Sequence, residues 1–369
     1  MTEKMIKHQD FFKLNAAQMM QYIQSTALPP AALSHRQTQR NAQPSANASG
    51  TPLQPIDSRD ISVVIQGPVF SNMTPLAPNG ITRQVLKALR QHLPQATLIL
   101  STWKGQPIDG LDADIILQLD DPGTTNFYKP NAKAENLYNN GNRLIYSTQA
   151  GLAQVKTKYT LKIRSDLLLF HPLFSSYFDQ FHHVDAPWHV LEQRIIGFPV
   201  YSLKYETTPY NPQSKQTERI QPRPFHVSDW AYFGLTVDLK KLFDCPLMDE
   251  PATSRWFETR PKPANDLWPD RLWRYSPEQY IVSNLAQRTL GITLEHASQD
   301  DAEILQASER FIANNFIILD QHQWGLWSLK LQVYQDQLAP ELLKGLYSHQ
   351  VWYRDYQKYS MNTPNLMQA

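Results

Sequence analysis

The sequence has little cysteine and no long hydrophobic run. Cys245 is the single cysteine among 369 residues, and one thiol can form neither an intramolecular disulfide nor a cysteine zinc site. No stretch of 18 apolar residues occurs, and the N-terminal residues lack the apolar run of a signal peptide. We therefore expect a cytoplasmic protein without a transmembrane helix, with peripheral attachment to a membrane as the alternative.

A large excess of charge of either sign is also absent. Lys and Arg number 35 and Asp and Glu 34, which gives a formal net charge of +1. This balance argues against a protein that coats nucleic acid or an anionic membrane. A Gly-rich phosphate loop, a Ser-His-Asp order and zinc-type spacing around His226, His296 and His322 are missing as well. Aromatic side chains are plentiful, with 9 Trp and 17 Tyr, and they suit either sugar binding or core packing.

Short aliphatic runs alternate with helical patterns between residues 61 and 166. Ile61–Ile65 is nearly continuous in aliphatic residues, as in a central parallel strand that is covered on both faces. The predicted elements are strands at 61–65, 96–102, 114–118 and 159–166 and helices at 81–93 and 141–157. This order is that of a doubly wound, Rossmann-like half that binds nucleotides, so the predicted fold class is α/β.

Composition divides the chain into three predicted regions. They are a helix and linker at 1–58, an organised domain at 59–335 with halves 59–170 and 171–335, and a helical segment at 336–369. The first region joins an apolar-faced helix at 1–28 to a polar, Pro-containing linker at 34–58. The last region is rich in aromatic residues, and we expect it to pack on the body of the protein.

The second half of the organised domain is less regular. Its predicted elements are strand-like pieces at 189–191 and 199–202, a strand at 227–234, a helix that Ser276 caps and Pro277 begins, and long loops at 185–226 and 249–270. Loops of this length inside a compact domain usually carry binding surface.

The segment Tyr159–Leu169 places charge at the end of a predicted strand. Lys162, Arg164 and Asp166 share one face of it, and apolar residues dominate the other. Unpaired buried charges are costly, so this face must either pair internally, as on an edge strand, or open onto the cleft beyond the strand ends. We favour the cleft, with Asp166 facing solvent in a nucleotide-phosphate or metal site.

Several strings of this sequence together resemble the WavE-type lipopolysaccharide-synthesis family. They are Val63-Val64-Ile65-Gln66-Gly67-Pro68, Ser101-Thr102-Trp103, Asp121-Pro122-Gly123, Asn142-Arg143, Lys162-Ile163-Arg164-Ser165-Asp166, Ser228-Asp229-Trp230, Phe233-Gly234 and Pro277-Glu278-Gln279-Tyr280. The resemblance covers about residues 60–330 and is most specific from Gly141 to Leu169.

That family resembles a branch of the GT-A glycosyltransferases that build bacterial surface polysaccharide. The resemblance implies a GT-A-like fold with a mixed central sheet. It implies a nucleotide-sugar donor in the first half and a glycan or glycolipid acceptor, of lipopolysaccharide or capsule, in the second. A peripheral place at the inner membrane or in a polysaccharide-assembly complex would fit this role.

The resemblance also implies a divalent cation, but with a departure. GT-A enzymes hold Mn²⁺ or Mg²⁺ and the donor diphosphate on an Asp-x-Asp at a strand end, and here Arg164 replaces the first acid. Asp166 with two phosphates and waters can still hold such an ion. Alternatively, Arg164 itself neutralises the diphosphate. We favour the metal, with Asp166 as its ligand.

Other donor contacts are expected near strand ends and helix starts. Gln66 and Gly67 follow the first strand, where the backbone can approach a nucleobase, although a tight turn explains Gly67 equally well. Arg83 in the first turn of the next helix is a candidate phosphate or base contact, or else a surface charge.

The helix that leads to the charged strand supplies two more candidates. Asn142 and Arg143 begin it, and helix starts attract anions, so they are candidate diphosphate or ribose contacts. Asp120 and Asp121 follow the third strand, where they either accept hydrogen bonds from the donor or cap the Pro122-Gly123 turn.

Two acids are candidate catalytic bases. Glu278 begins a helix after the acceptor-side strand, as the base of an inverting GT-A enzyme often does, although a first-turn Glu also complements the helix dipole. Asp229 lies in an otherwise apolar strand, where a carboxylate is costly to bury unless a hydrogen-bond donor or a cation pairs with it. Trp230 beside it either stacks on an acceptor sugar or belongs to the core. In a retaining enzyme both acids would instead bind the acceptor.

Two other functions compete with the glycosyltransferase. A nucleotidyltransferase for sugar phosphates uses a similar nucleotide half, but Gln66-Gly67-Pro68-Val69 lacks the Gly-rich loop with a nearby Lys or Arg that it usually carries. A glycan-binding or scaffold protein would keep the fold without turnover, and the replacement of the first acid by Arg164 leaves this alternative open.

Overall fold

A computed structural model of the chain describes residues 55–126, 138–208, 218–264, 266–268, 270–331, 338 and 340–361. The predicted helix at 1–28 and most of the predicted linker lie outside these ranges. The strands are β1 (Ile61–Gln66), β2 (Thr97–Trp103), β3 (Ile115–Leu119), β4 (Thr125–Asn126), β5 (Tyr138–Asn139), β6 (Tyr159–Arg164), β7 (Leu167–Leu169), β8 (Ile195–Phe198), β9 (Tyr205–Thr207), β10 (Ile220–Pro222), β11 (Ser228–Leu235), β12 (Phe316–Ile318) and β13 (Leu326–Ser328). The α-helices are α1 (Ile81–His92), α2 (Gly141–Gln154), α3 (Thr236–Leu242), α4 (Pro277–Leu290), α5 (Ala302–Asn315), α6 (Gln321–Trp324), α7 (Pro340–Gly345) and α8 (His349–Tyr356).

Seven of the described strands form one sheet in the order β12-β8-β11-β6-β1-β2-β3. Neighbouring strands pair in parallel except at β11, which is antiparallel to both β6 and β8. The sheet is therefore mixed and mostly parallel, and the predicted α/β class with a mixed central sheet is confirmed.

The first half follows from its apolar patterning. Every residue of β1 is buried, as a strand covered on both faces requires. Helix α1 buries Val85 and Leu89 on one stripe. Helix α2 packs against β1 closely, because an added Cβ at Gly151 would collide with Val64. Predicted and observed boundaries differ little here, although α2 ends three residues before the predicted Thr157.

The charged strand is shorter than predicted. Strand β6 ends at Arg164 instead of Asp166, and Leu167–Leu169 forms a separate strand that pairs with β13. The register of β6 with β1 sets Ile163 beside Ile65 and Arg164 beside Gln66. The carboxyl ends of these two central strands therefore lie side by side.

The second half confirms some predicted elements and corrects others. Strand β11 lies within one residue of the predicted strand at 227–234. Ser276 caps α4 through a reciprocal pair of hydrogen bonds with Gln279, with Pro277 in the first turn, as predicted. The strand-like pieces predicted at 189–191 and 199–202 are wrong, because the strand of this region is β8, between them.

The C-terminal aromatic residues pack on the body, as predicted. Trp352 of α8 is fully buried, and its ring lies 4.7 Å edge-on from the ring of Phe181 and stacks at 5.4 Å on Tyr356. Within the ranges that the structure describes, no helix is long and apolar enough to cross a membrane. The predicted domain boundaries at 58 and 335 stay predictions.

Candidate functional site

A cavity of about 850 Å³ opens beyond the carboxyl ends of β1, β2 and β6. This is the edge of a doubly wound sheet at which ligands bind. Six of the predicted donor residues line it, together with both predicted catalytic acids. The donor residues are Gln66, Gly67, Asp121, Arg143, Arg164 and Asp166. The acids are Asp229 and Glu278.

The end of β1 is held closely against the end of β6. Gly67 has a φ of +120°, and a Cβ built on it would lie 3.1 Å from Oγ of Ser165. Ser165 donates from that hydroxyl to the carbonyl of Pro68 at 2.7 Å. Gln66 is buried, and its Oε1 accepts from the hydroxyl of Ser147 at 3.2 Å. Gly67 thus permits both a tight turn and a close approach of two strand ends.

Arg164 and Asp166 form a buried ion pair. Nε and Nη2 of Arg164 donate to the two carboxylate oxygens of Asp166, each at 2.8 Å. Ser328 donates its hydroxyl to the same carboxylate at 2.6 Å. The side chain of Asp166 is only 1% exposed, so the prediction that it faces solvent is wrong. The alternative prediction, an internal ion pair, is what the structure shows. The pair lies at the end of a central strand instead of on an edge strand.

The ion pair leaves little of the Asp166 carboxylate for a divalent cation. Three hydrogen bonds already engage the carboxylate of Asp166, and two of them come from a cation that would repel a metal ion. Among the described residues, no group of three or more His, Cys, Asp or Glu side chains could hold a metal. The arrangement therefore does not fit the predicted metal site at Asp166.

Arg143 and Asp121 form a second pair at the start of α2. Nε of Arg143 donates to Asp121 Oδ1 at 2.8 Å, and this pairing lowers the pKa of the Asp121 carboxyl. The same oxygen accepts the backbone N–H of Gly123 at 2.9 Å. Asp121 thus caps the predicted turn and also lies at the cavity. Arg143 further donates from Nη1 to the side chain of Asn140 at 3.0 Å.

Three predicted residues are not brought to the cavity. Arg83 extends over the surface and donates to the carbonyls of Asp109 and Gly110. Asn142 exchanges hydrogen bonds with the backbone of Met248, at 2.6 and 2.9 Å. Trp230 is buried in the core, where its ring stacks at 5.9 Å on Phe198. Asp120, which we also considered, bridges to Lys104 on the surface.

The position of Trp230 supports the site indirectly. The guanidinium carbon of Arg164 lies 4.2 Å from the centroid of the Trp230 ring. Stacking on an indole and a bidentate carboxylate together restrict the guanidinium to one orientation. Trp230 is therefore a core residue, as the alternative interpretation had it, and it fixes Arg164 beside the cavity.

Glu278 and Asp229 form an acidic wall of the cavity. Burial raises the pKa of Glu278, which lies in the first turn of α4. Burial and the negative charge of Glu278 raise the pKa of Asp229 to about 6. Nε2 of His226 lies 3.9 Å from Glu278 Oε2, and burial lowers the pKa of this imidazole to about 4. The wall is thus two carboxyl groups that hold protons more tightly than usual, beside a neutral imidazole.

Lys162 supports this wall from inside the core. It is fully buried, and its ammonium donates to the backbone carbonyl of Asp229. Burial lowers the pKa of Lys162 to about 8, while the nearby Asp229 charge opposes that shift. Each charged side chain of the predicted face is therefore held by a hydrogen bond or an ion pair, and Arg164 and Asp166 also line the cavity.

Several residues of the second half line the cavity although nothing in the sequence indicates them. Tyr201, Glu206, Arg223 and Trp268 reach the cavity from loops or short strands of the second half. Glu206 pairs with Arg223 and accepts from the indole N–H of Trp268 at 3.0 Å. Loops 185–226 and 249–270 were predicted to carry binding surface, but no local spacing singles out these residues.

Backbone strain marks the same region. Tyr201 has a φ of 65° and Phe225, next to His226, a φ of 57°. Bulky residues rarely adopt positive φ, and such strain concentrates at functional sites. Sequence carries no signal for it, because neither position is a glycine or asparagine.

Comparisons with known proteins show one family and two distant structural likenesses. No curated protein matches the chain. Among solved structures, 4-diphosphocytidyl-2C-methyl-D-erythritol synthase from Anaerococcus prevotii DSM 20548 is 10% identical, covers 52% of this chain and 81% of its own, and has a TM-score of 0.26. The inositol-1-phosphate CTP transferase from T. maritima is 11% identical, covers 71% of this chain and 99% of its own, and has a TM-score of 0.29. Likenesses this weak show nothing about the function of this chain.

The family comparison is much broader. The model described as WavE lipopolysaccharide synthesis matches residues 61–369, which takes in all of the described sheet. The match begins at the first residue of β1 and leaves out the predicted N-terminal helix and linker, as expected. The chain belongs to the WavE lipopolysaccharide synthesis family.

Proposed function

We propose that this protein is a GT-A-like glycosyltransferase that moves a sugar from a nucleotide donor to a lipopolysaccharide or capsule glycan. One observation carries the proposal: a single cavity has cationic side chains at the strand ends and two carboxyl groups of raised pKa on its other wall. An inverting glycosyl transfer uses both, because a diphosphate leaves while a hydroxyl loses its proton. Family membership supports the same role.

The donor would lie across the carboxyl ends of β1 and β6. Gln66 and Gly67 border the place of the nucleobase or ribose, and Arg164 that of the diphosphate. The start of α2 adds the positive end of a helix dipole, since Gly141 and Arg143 line the cavity there. Arg143 is already bound to Asp121 and Asn140, so its main effect is to shape this wall.

Glu278 is the proposed base. In an inverting transfer the acceptor oxygen bonds to the anomeric carbon while its proton passes to the Glu278 carboxylate. The bond from that carbon to the diphosphate breaks, and its electron pair stays on the nucleoside diphosphate. A base works best when its pKa lies near the working pH, and burial moves Glu278 in that direction. In a retaining transfer Glu278 and Asp229 would instead hold acceptor hydroxyls.

The acceptor would lie against the aromatic side of the cavity. Trp268 is 43% exposed there, and Tyr201 also lines the cavity. Exposed rings of this kind stack on the apolar faces of sugars. Trp268 therefore takes the stacking role that the sequence suggested for the buried Trp230.

A nucleotide-release screen tests the proposal. The full chain is incubated with each common nucleotide sugar, with and without a lipopolysaccharide-core acceptor, and free nucleoside diphosphate is measured. We expect release from one donor, and much less from the Glu278→Gln variant. The Asp120→Asn variant, altered at an exposed carboxylate outside the cavity, serves as the matched control. Absence of release from every donor would reject the proposal in favour of a non-catalytic protein.

A further inference from the structure

The cationic end of the cavity is built around a guanidinium that is held in place but does not use all of its hydrogen-bond donors. Arg164 bonds Asp166 through Nε and Nη2 and lies over Trp230. Its Nη1 has no hydrogen-bond partner in the part of the chain that the structure describes. The side chain is 20% exposed and lines the cavity. One edge of a fixed cation therefore remains for a ligand.

Lys330 supplies a second cation to the same end. Strand β13 pairs with β7, and the N–H of Leu329 donates to the carbonyl of Asp166 at 2.9 Å. This ladder carries Lys330, the next residue, to the cavity, where its ammonium lies 5.0 Å from the centroid of the Phe70 ring. Lys330 forms no ion pair with any residue in the described ranges. Its charge is thus uncompensated within them.

Ser328 lies near both cations, through a hydrogen bond on one side and through the chain on the other. It donates to Asp166, which holds Arg164, and it lies two residues before Lys330. Because Asp166 neutralises one positive charge, Arg164, Asp166 and Lys330 together keep a net charge of +1, with unused donors on both cations. That is the chemistry of an anion site, and a divalent cation could use Asp166 only by displacing Arg164.

From this geometry we infer that the diphosphate of the donor is bound and neutralised by Arg164 and Lys330, without a divalent cation. The inference rests on the proposed function, since it takes the ligand to be a nucleoside diphosphate. As the bond to the anomeric carbon breaks, the new negative charge on the β-phosphate faces Nη1 of Arg164 and the ammonium of Lys330. Asp166 and Ser328 act on the ligand only through Arg164, as positioning residues.

Calorimetry with nucleoside diphosphates tests this inference. UDP, CDP, GDP and ADP are each titrated into the full chain in excess EDTA and again in Mn²⁺ or Mg²⁺. We expect one of them to bind in EDTA with an affinity within about threefold of that in metal. Binding that requires the metal would overturn the inference but leave the proposed function intact. Failure of all four under every condition would reject both.

Variants identify the side chains. Lys330→Met should weaken diphosphate binding in EDTA by about ten- to a hundredfold, as expected when a hydrogen bond from a charged group is lost. The same variant should leave binding of the free nucleoside unchanged. Lys104→Met, which removes a lysine that pairs with Asp120 outside the cavity, is the control and should bind as the native protein does. Equal diphosphate affinity in Lys330→Met and the native protein would refute the role of Lys330.

Discussion

Replacing Asp166 by asparagine should destabilise the protein, although the residue lies at the rim of a cavity. The amide keeps the size of the side chain but removes the charge that pairs with Arg164. In the native protein the guanidinium and the Ser328 hydroxyl both donate to carboxylate oxygens of Asp166. The amide of the variant would turn its NH₂ group toward one of these donors. The fold would have to keep a partly buried guanidinium without its counter-ion.

The size of the effect follows from burial. Removing one partner of a buried ion pair costs about 3–5 kcal/mol. Asp166 is 1% exposed, but Arg164 is 20% exposed and keeps its contact with Trp230. The lower end, about 3 kcal/mol, is therefore expected. At about 2 °C per kcal/mol the melting temperature should fall by about 6 °C.

Thermal melting followed by circular dichroism measures this loss, with Asp120→Asn as the matched control. Asp120 also follows a strand and pairs with a cation, but its side chain is 81% exposed and that of Lys104 is 64% exposed. An exposed pair of this kind contributes less than about 1 kcal/mol. If both variants melt within a degree of the native protein, Asp166 is not in a buried pair and our account of the strand end is wrong.

Four further predictions concern catalysis and organisation. Glu278→Gln should slow an inverting transfer by about 10²–10⁴-fold without changing donor affinity. Initial rates measure the transfer and calorimetry measures the affinity. Retention of more than about a tenth of the rate would mean that Glu278 is only a helix-start acid. The rate should fall toward acid pH, because burial raises the pKa of Glu278 and a protonated carboxyl cannot accept a proton. In Glu278→Gln the pKa of Asp229 should fall, since a neighbouring charge that raises it is gone, and an NMR titration of the Asp229 carboxyl with an unmoved midpoint would contradict that effect of Glu278. Deleting residues 1–50 should leave soluble protein with a cooperative melt and donor turnover, because the described core begins at Ile61, and loss of the cooperative transition would place the N-terminal helix in the core.

Much of the fold could be predicted because its signals are local. The aliphatic run of β1, the apolar stripe of α1 and the cap formed by Ser276 and Gln279 each depend on neighbours within a few residues. The structure keeps these elements nearly as predicted. The same reasoning placed Glu278 at a helix start and Asp229 within a strand.

The electrostatics of the site could not be predicted, because the partners are distant in sequence. Asp166 is buried by β13, whose Ser328 is 162 residues away. That pairing cannot be inferred from spacing, so a solvent-facing acid was the natural expectation. Lys330 reaches the cavity through the same ladder and has no local motif. His226 lies beside Glu278 and follows Phe225, whose positive φ the sequence does not reveal.

The place of Trp230 could not be decided from the sequence, for a physical reason. A tryptophan next to an acid in a strand suits either a sugar face or the core, and only packing decides between them. Trp230 is enclosed by Phe198, Tyr201 and Arg164, whereas Trp268 lines the cavity with an exposed ring.

The reaction itself is tested most directly by ³¹P nuclear magnetic resonance on two mixtures. One contains the protein, a nucleotide sugar and a lipopolysaccharide-core acceptor. The other contains the protein, a nucleoside triphosphate and a sugar 1-phosphate. The account predicts nucleoside diphosphate in the first mixture and no change in the second. Formation of pyrophosphate and a nucleotide sugar in the second mixture, with the first unchanged, would contradict it and identify a nucleotidyltransferase.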